Sequence, residues 1–154
     1  MDYNRLLLRL FERKKALMDL NQILKLRNET NPYAAEQGIK VVELTEGKST
    51  VHVKIQDYMK NPAGSTHGGL LYSLCDVATA AAAASYGYHV TTVDSSFHYL
   101  RAALNVSELF AEAREIKHGR RVMVFEADVT DSEGTLYCRG IFTIMKLDIP
   151  LDAK

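Results

Sequence analysis

Leucine recurs at helical spacing near the start of the chain. Leu6, Leu10, Leu17, Leu20 and Leu24 stand three, four or seven apart, and Arg13 alone interrupts the stripe. The pattern predicts an amphipathic helix over 3–26, ended by the break at Asn31-Pro32. From residue 38 the period changes to two. Val51, Val53 and Ile55 alternate with His52, Lys54 and Gln56, as in a half-buried strand. A preceding strand is expected over 39–45, with Glu46-Gly47 as the turn. Asn61-Pro62-Ala63-Gly64-Ser65 cannot readily continue a strand.

Residues 67–86 then return to helix. Alanine, the best helix former, dominates the second half, and Tyr86-Gly87 supplies a stop. This segment is apolar nearly all round, which predicts a buried helix. Four strands are expected after it, over 90–100, 105–117, 120–131 and 135–147. Met123, Phe125, Ala127 and Val129 share one face of the third, and Asp131-Ser132-Glu133-Gly134 forms a hairpin turn. Strands gathered around one central helix indicate an α+β architecture with an antiparallel sheet. Residues 1–30 read as a helical extension and 31–150 as one domain.

Composition narrows the classes. The 154 residues are 47% hydrophobic and 25% charged, with a formal net charge of zero. That is an ordinary globular balance, and it lacks the basic surplus that nucleic-acid binding needs to displace counterions. No apolar run reaches the roughly 20 residues needed to span a bilayer. No small-residue cleavage site follows the charged N-terminus, so no signal peptide is expected. Cys75 and Cys138 lie in apolar contexts and read as reduced, buried thiols. The expected compartment is the cytoplasm. The first 27 residues carry seven Lys/Arg against three Asp/Glu. Such a helix can lie on a membrane, bind a partner, or dock on its own domain or a sister subunit.

Candidate chemistry concentrates between Asn61 and Asp76. A loop containing Gly64 leads into a helix opened by His67-Gly68-Gly69. The first amides of a helix lack internal partners and sit at the positive end of its dipole. Glycine lets a substrate approach that backbone closely, and a carbonyl placed there would have its developing oxyanion stabilised. Asp76 is an acid in an otherwise apolar helix, and a buried carboxylate is costly unless used or paired. Gly68 and Asp76 are eight residues apart, roughly 12 Å along a helix. One carbonyl carbon cannot easily be served by both from a single helix. Two such helices antiparallel across a twofold axis would bring Asp76 of one protomer to Gly68 of its partner, which predicts an obligate dimer with shared sites.

The same residues carry a family resemblance. The segment resembles the signature of the hotdog-fold thioesterases, in the subgroup typified by the phenylacetate-pathway acyl-CoA thioesterase. That signature is an Asn, a Gly, then His-Gly-Gly, then an acid seven residues after the second glycine. Asn61, Gly64, His67-Gly68-Gly69 and Asp76 match it. Weaker matches extend over 31–147: Asn31-Pro32, Thr92-Val93-Asp94 with Phe97 and Arg101, and Gly119-Arg120. The chain departs from the pattern at Ala102, where proline is usual, and in its longer N-terminal helix.

The resemblance implies a hotdog fold, with a long central helix wrapped by a curved antiparallel sheet, paired into dimers and often tetramers. It implies hydrolysis of an acyl-CoA without metal or cofactor. Asp76 would act as general base or nucleophile. The Gly68 amide would bind the thioester oxygen, and Gly69 would line the approach. Asn61 and His67 would shape and polarise the pocket, and Thr92 would help hold the attacking water.

Plainer roles stand beside these. Asp76 could be an ion-paired helix acid, His67 a hydrogen-bonded structural histidine, and Thr92 a strand residue. Cys75 reads as core. His52, His89 and His118 lack metal-ligand spacing and read as surface residues. Arg120 and Arg121, with Lys117, either meet the CoA phosphates or decorate an exposed turn. The alternative functions are a non-catalytic acyl-CoA-binding or sensing protein, and a hotdog hydratase or dehydratase.

Overall fold

A computed structural model describes residues 18–152. The expected N-terminal helix over 3–26 therefore falls largely outside the described residues. Its described part is α1, Leu20–Glu29. Met18 and Asp19 stand outside it, so the continuous helix expected over 3–26 is interrupted there, and Asp19 caps it: the Asp19 carboxylate accepts from the Gln22 amide at 2.9 Å, and the Gln22 side chain accepts from the Asp19 amide at 3.1 Å. Asn31-Pro32 does break the chain there, and it also opens a short helix, α2, Pro32–Glu36, that periodicity missed. Asn31 accepts from the Ala34 amide at 3.0 Å, and Pro32 occupies the first turn, where its missing N–H costs nothing.

Two strands follow, β1 (Lys40–Thr45) and β2 (Lys48–Lys54). Gly47 turns between them at φ +73°. After a single 3-10 turn at Asp57–Met59 comes the central helix α3, Gly68–Ala84. It starts one residue later than expected because His67 is its cap. It ends at Ser85 and at Gly87, whose φ of +85° suits only glycine without strain. Four strands complete the chain: β3 (Tyr88–Tyr99), β4 (Glu108–His118), β5 (Val122–Thr130) and β6 (Leu136–Pro150). The six strands form one antiparallel sheet in the order β1-β2-β4-β5-β6-β3. This is the hotdog arrangement that the resemblance implied.

The period-two pattern explains why the sheet wraps the helix. Val51 and Val53 of β2, Leu109, Ala111 and Ala113 of β4, Met123, Phe125, Ala127 and Val129 of β5, and Phe142 and Ile144 of β6 all point inward and are buried. They close on Leu70, Leu71, Leu74, Cys75, Ala78, Ala81 and Ala82 of α3. The small alanines let the sheet approach the helix closely. Burying each of the larger aliphatic side chains contributes about 1.5–3 kcal/mol. The outer face carries charge instead. Arg139 on β6 makes paired bonds of 2.5 and 2.7 Å to Asp128 on β5, and Arg114 on β4 pairs with Glu126.

Helix α1 packs on β1 and meets the end of α3. Ile23, fully buried, joins Ala84 and Leu151 in a second small cluster. The Asn28 side chain locks α1 to β1, donating to the Val41 carbonyl and accepting from its amide, both at 2.9 Å. His52 corrects an expectation. It is half-buried rather than surface-lying, packed on Phe110 and hydrogen-bonded to Glu108 at 2.8 Å, because it faces the neighbouring strand β4. Among the described residues no helix is long and apolar enough to cross a membrane.

Candidate active site

The loop before α3 is built by one side chain. Asn61 accepts through Oδ1 from the Ala63 and Ser65 amides at 3.0 and 3.2 Å, and donates through Nδ2 to the Ser65 hydroxyl at 2.8 Å. Gly64 closes the turn at φ +83°. Two backbone bonds then seat the helix start: His67 N–H to the Met59 carbonyl at 2.8 Å, and Thr66 N–H to the Ala103 carbonyl at 3.0 Å. Asn61 therefore organises the loop that leads into the helix start.

His67 caps α3 with its ring. Nδ1 accepts from the Gly69 amide at 3.0 Å. An Nδ1 that accepts carries no proton, so a neutral ring holds its proton on Nε2. The cap also takes up the Gly69 N–H, one of the donors expected to meet substrate. The Gly68 N–H, by contrast, has no hydrogen-bond partner among the described residues. It is a free donor at the positive end of a 17-residue helix.

Tyr99 was missed by the sequence reading and sits directly against this donor. Its hydroxyl donates to the Gly68 carbonyl at 3.1 Å, and its ring atoms would lie 3.1–3.2 Å from any Cβ placed on residue 68. The cavity at this helix start has a volume of about 340 Å³ and is lined by Asn61, Gly68, Leu71, Tyr99 and Arg101, among others. Tyr99 continues an aromatic run through Phe97, at 4.8 Å between ring centres, to Tyr72 at 5.3 Å. Its signal in the sequence was its place two residues after Phe97, on the same face of an alternating strand.

Asp76 lies two turns further along α3 and is half-buried. The Thr92 hydroxyl donates to its Oδ1 at 2.7 Å. A register shift in the β3–β6 pairing falls between Thr92 and Asp94. Such bulges re-aim side chains locally. Thr92 thus contacts the carboxylate itself. Among the described residues Asp76 has no ion-pair contact within 4 Å. The plain reading of a paired helix acid does not describe it.

Cys75, beside Asp76 in sequence, is fully buried, as is Cys138, and both are free thiols. The hydrogen bond to Cys138 and then burial push the Cys75 thiol far above its ordinary range, so it is core and no nucleophile.

The structure does not gather every candidate. Gly68 and Asp76 share one helix, eight residues apart, and so stand roughly 12 Å from each other along its axis. Arg120 and Arg121 lie exposed in the β4–β5 hairpin. That hairpin is at the far end of α3, where the Tyr86 ring meets His118 at 4.4 Å. Within one chain they are remote from Gly68.

Comparison with known proteins places these features in company. The family model of the thioesterase superfamily matches residues 63–138, the span from the glycine loop to β6. The acyl-coenzyme A thioesterase PaaI of Escherichia coli is 28% identical over 105 residues, covering 68% of this chain and 75% of that protein. A solved structure of a conserved protein from Pseudomonas aeruginosa is 30% identical, with a TM-score of 0.72 over 76% of this chain and 94% of the other. A thioesterase-like protein of Streptococcus pneumoniae, solved with coenzyme A, is 28% identical, with a TM-score of 0.68 over 73% and 88% of the two chains.

Proposed function

The chain belongs to the thioesterase superfamily and is a thioester hydrolase of the phenylacetate-pathway type, and we propose that it cleaves an acyl-CoA with Asp76 as its catalytic carboxylate and the Gly68 amide as its oxyanion donor. The observation that carries this reading is the pairing of two features on α3: an amide at the helix start with no partner among the described residues, and a half-buried carboxylate held by Thr92 rather than by an ion pair.

The chemistry follows from those two groups. The thioester carbonyl accepts from the Gly68 N–H. Water, deprotonated by Asp76 as it attacks, forms a C–O bond to the carbonyl carbon. The oxyanion that develops is stabilised by the helix start. When the tetrahedral adduct collapses, the C–S bond breaks and the CoA thiolate leaves, to be protonated from Asp76 or solvent. The free acid remains. Attack by the Asp76 carboxylate itself, giving an anhydride that water then opens, uses the same geometry. The Asn61 loop and the His67 cap hold the helix start in place, Gly69 lines the approach, and no metal or cofactor is required.

The distance between the two groups requires a second protomer. Strand β3 ends the sheet, with one edge unpaired among the described residues over its 12 residues, and Val93 and Tyr99 on it and Leu100 just beyond are more than half exposed. Long open edges invite pairing. A twofold homodimer about this edge would run two copies of α3 antiparallel and set Asp76 of one protomer opposite Gly68 of its partner. It would also carry one protomer's Arg120 and Arg121 toward its partner's helix start, where they suit the phosphates of CoA. Further pairing into a tetramer, a cytoplasmic location, and a division into a helical extension over 1–30 and a thioesterase domain over 31–150 complete the reading.

One experiment addresses both parts. Purified protein is given a panel of aryl- and fatty acyl-CoAs with a thiol reagent, and its mass in solution is measured. Thiol release from a dimer or tetramer supports the reading. Binding without release points to a sensor, and loss of an enoyl double bond to a hydratase. Turnover by a monomer refutes the shared site.

A further inference from the structure

A chain of hydrogen bonds runs through the first turn of α3, ends on the Gly68 amide and starts outside the helix. The Ser73 hydroxyl bonds the Gly69 carbonyl at 2.8 Å and the Tyr33 hydroxyl at 2.8 Å. A carbonyl can only accept, so the one hydroxyl proton of Ser73 goes to Gly69. Tyr33 then donates to Ser73. The Gly69 carbonyl and the Leu70 N–H belong to one planar, resonant peptide unit. The Leu70 N–H donates to the His67 carbonyl at 2.9 Å. The His67 carbonyl in turn shares its peptide unit with the Gly68 N–H, which has no partner among the described residues. Every link points the same way: Tyr33 to Ser73, Ser73 to Gly69, Leu70 to His67, and out through Gly68.

Tyr33 enters this chain from another element. It stands on α2, 40 positions from Ser73, in a helix whose Asn31 cap and Pro32 set its first turn. A tyrosine ordinarily buries its apolar body and leaves its polar tip wet. Here the residue is 55% exposed while its hydroxyl is engaged against α3. Packing of the ring therefore does not account for the contact. The neighbouring carbonyl is served differently. Tyr99 donates to the Gly68 carbonyl at 3.1 Å, whose peptide unit carries the Gly69 N–H, and that donor is taken up by His67 Nδ1 at 3.0 Å. Of the two chains, the one from Tyr33 leads to the free amide.

We propose that Tyr33 and Ser73 are positioning residues for the hydrolytic step, relaying hydrogen-bond polarisation through two peptide units so that the Gly68 N–H donates more strongly to the oxyanion. This rests on the Gly68 amide being the oxyanion donor. A hydrogen bond to a carbonyl oxygen draws electron density toward it and leaves the N–H of the same peptide a better donor. Chained bonds strengthen one another by roughly 10–30% each. Losing an oxyanion donor outright lowers kcat by about 10²–10³-fold. That fraction of the effect amounts to about two- to eightfold in kcat. It falls on kcat because the charge on the oxygen develops in the transition state.

The test measures kcat, KM and melting temperature for Tyr33→Phe, Ser73→Ala and the double variant, on the panel acyl-CoA that the wild type hydrolyses fastest. Tyr33→Phe should lower kcat about twofold and Ser73→Ala up to about eightfold, with KM changed less than about twofold. The double variant should match Ser73→Ala, because two links of one chain are not lost independently. Ser73→Thr keeps a hydroxyl able to reach the same carbonyl and should recover most of the loss. Should Ser73→Ala fail to fold, Tyr33→Phe carries the same readouts. A second measurement follows the donor itself. The ketone analogue of that acyl-CoA, with methylene in place of the thioester sulfur and carbon-13 at its carbonyl, is bound and its infrared carbonyl stretch recorded. In the wild type the stretch should lie below its value in water, and both single variants should move it back upward. A wild-type downshift left unmoved by Tyr33→Phe and Ser73→Ala overturns the relay and leaves Gly68 standing as the donor. Additive losses in the double variant, or a lowered melting temperature at unchanged kcat, also overturn it, since the hydroxyls would then act apart or only tie α2 to α3. No downshift in the bound wild type removes the premise itself.

Discussion

The Thr92 hydroxyl donates a 2.7 Å hydrogen bond to Oδ1 of Asp76, joining the edge strand of the sheet to the middle of the central helix. One oxygen of the carboxylate is thereby oriented, and Oδ2 has no hydrogen-bond or ion-pair partner among the described residues. That freedom is what the proposed catalytic role of Asp76 needs.

Replacing that acid tests the reading most directly. Asp76→Asn should lower kcat by at least about 100-fold, the scale expected when a general base is lost. Asparagine is nearly isosteric and half-buried there, so melting temperature should change little. Near-wild-type thiol release from a folded variant would end the assignment.

Thr92→Val keeps the β-branched shape of a strand residue and deletes only the hydroxyl. A hydrogen bond to a charged group contributes about 1.5–3 kcal/mol. Part of that should appear as a loss of roughly tenfold in kcat. KM should be nearly unchanged, because Thr92 meets the carboxylate. A rise in KM at constant kcat would instead place Thr92 against substrate.

The cap and the chemistry of His67 can be separated. His67→Ala removes the acceptor for the Gly69 amide and should cost about 1 kcal/mol of stability, a few degrees in melting temperature. His67→Asn restores a good cap without the imidazole. If its melting point recovers and activity does too, His67 acts only by building the helix start. Activity that stays low in a fully stable His67→Asn assigns the ring a direct part.

Gly47 provides a fold-level check far from the site. Its φ is +73°, and a Cβ there would stand 2.8 Å from the Tyr86 hydroxyl and 3.3 Å from Cβ of Glu115. Gly47→Ala should therefore destabilise by more than about 1 kcal/mol. Its denaturant midpoint should fall while the slope stays constant. An unchanged midpoint would mean that the β1–β2 turn yields freely.

Acid stability should depend on Asp131. The Tyr137 hydroxyl, at 2.7 Å, is the first cause holding its carboxyl below the ordinary range, followed by the Thr135 amide. A carboxyl whose folded pKa is depressed stabilises the fold above its unfolded value, about 3.9. That stability is lost as pH falls through the folded value. Tyr137→Phe should thus melt lower than wild type at pH 7, and the gap should narrow as pH drops from about 5 toward 3. A gap independent of pH would trace the loss to packing alone.

Much of this was legible in the residues themselves. Alternation of Val51, Val53 and Ile55, and of Met123 through Val129, located strands because a pleated sheet with one buried face must repeat every two residues. The alanine run located the central helix, and the unusual acid within it marked Asp76. Local chemistry also located the turns at Gly47, Gly87 and Asp131–Gly134. What stayed hidden depends on atoms brought together from distant parts of the chain. The short helix after Asn31 has too few residues to show a period. His52 faces Glu108 only because β2 pairs with β4, 56 residues away in sequence.

The sequence by itself determined the alternation of elements, the buried helix, and the types of side chain able to act on a thioester, since each follows from local periodicity or from the cost of burying a charge. Only the tertiary structure decided which partners those side chains meet. Thr92 on Asp76 and Tyr99 on Gly68 are contacts made across 16 and 31 positions. Periodicity reports which face of an element is turned inward, but sheet order and helix docking set what waits there.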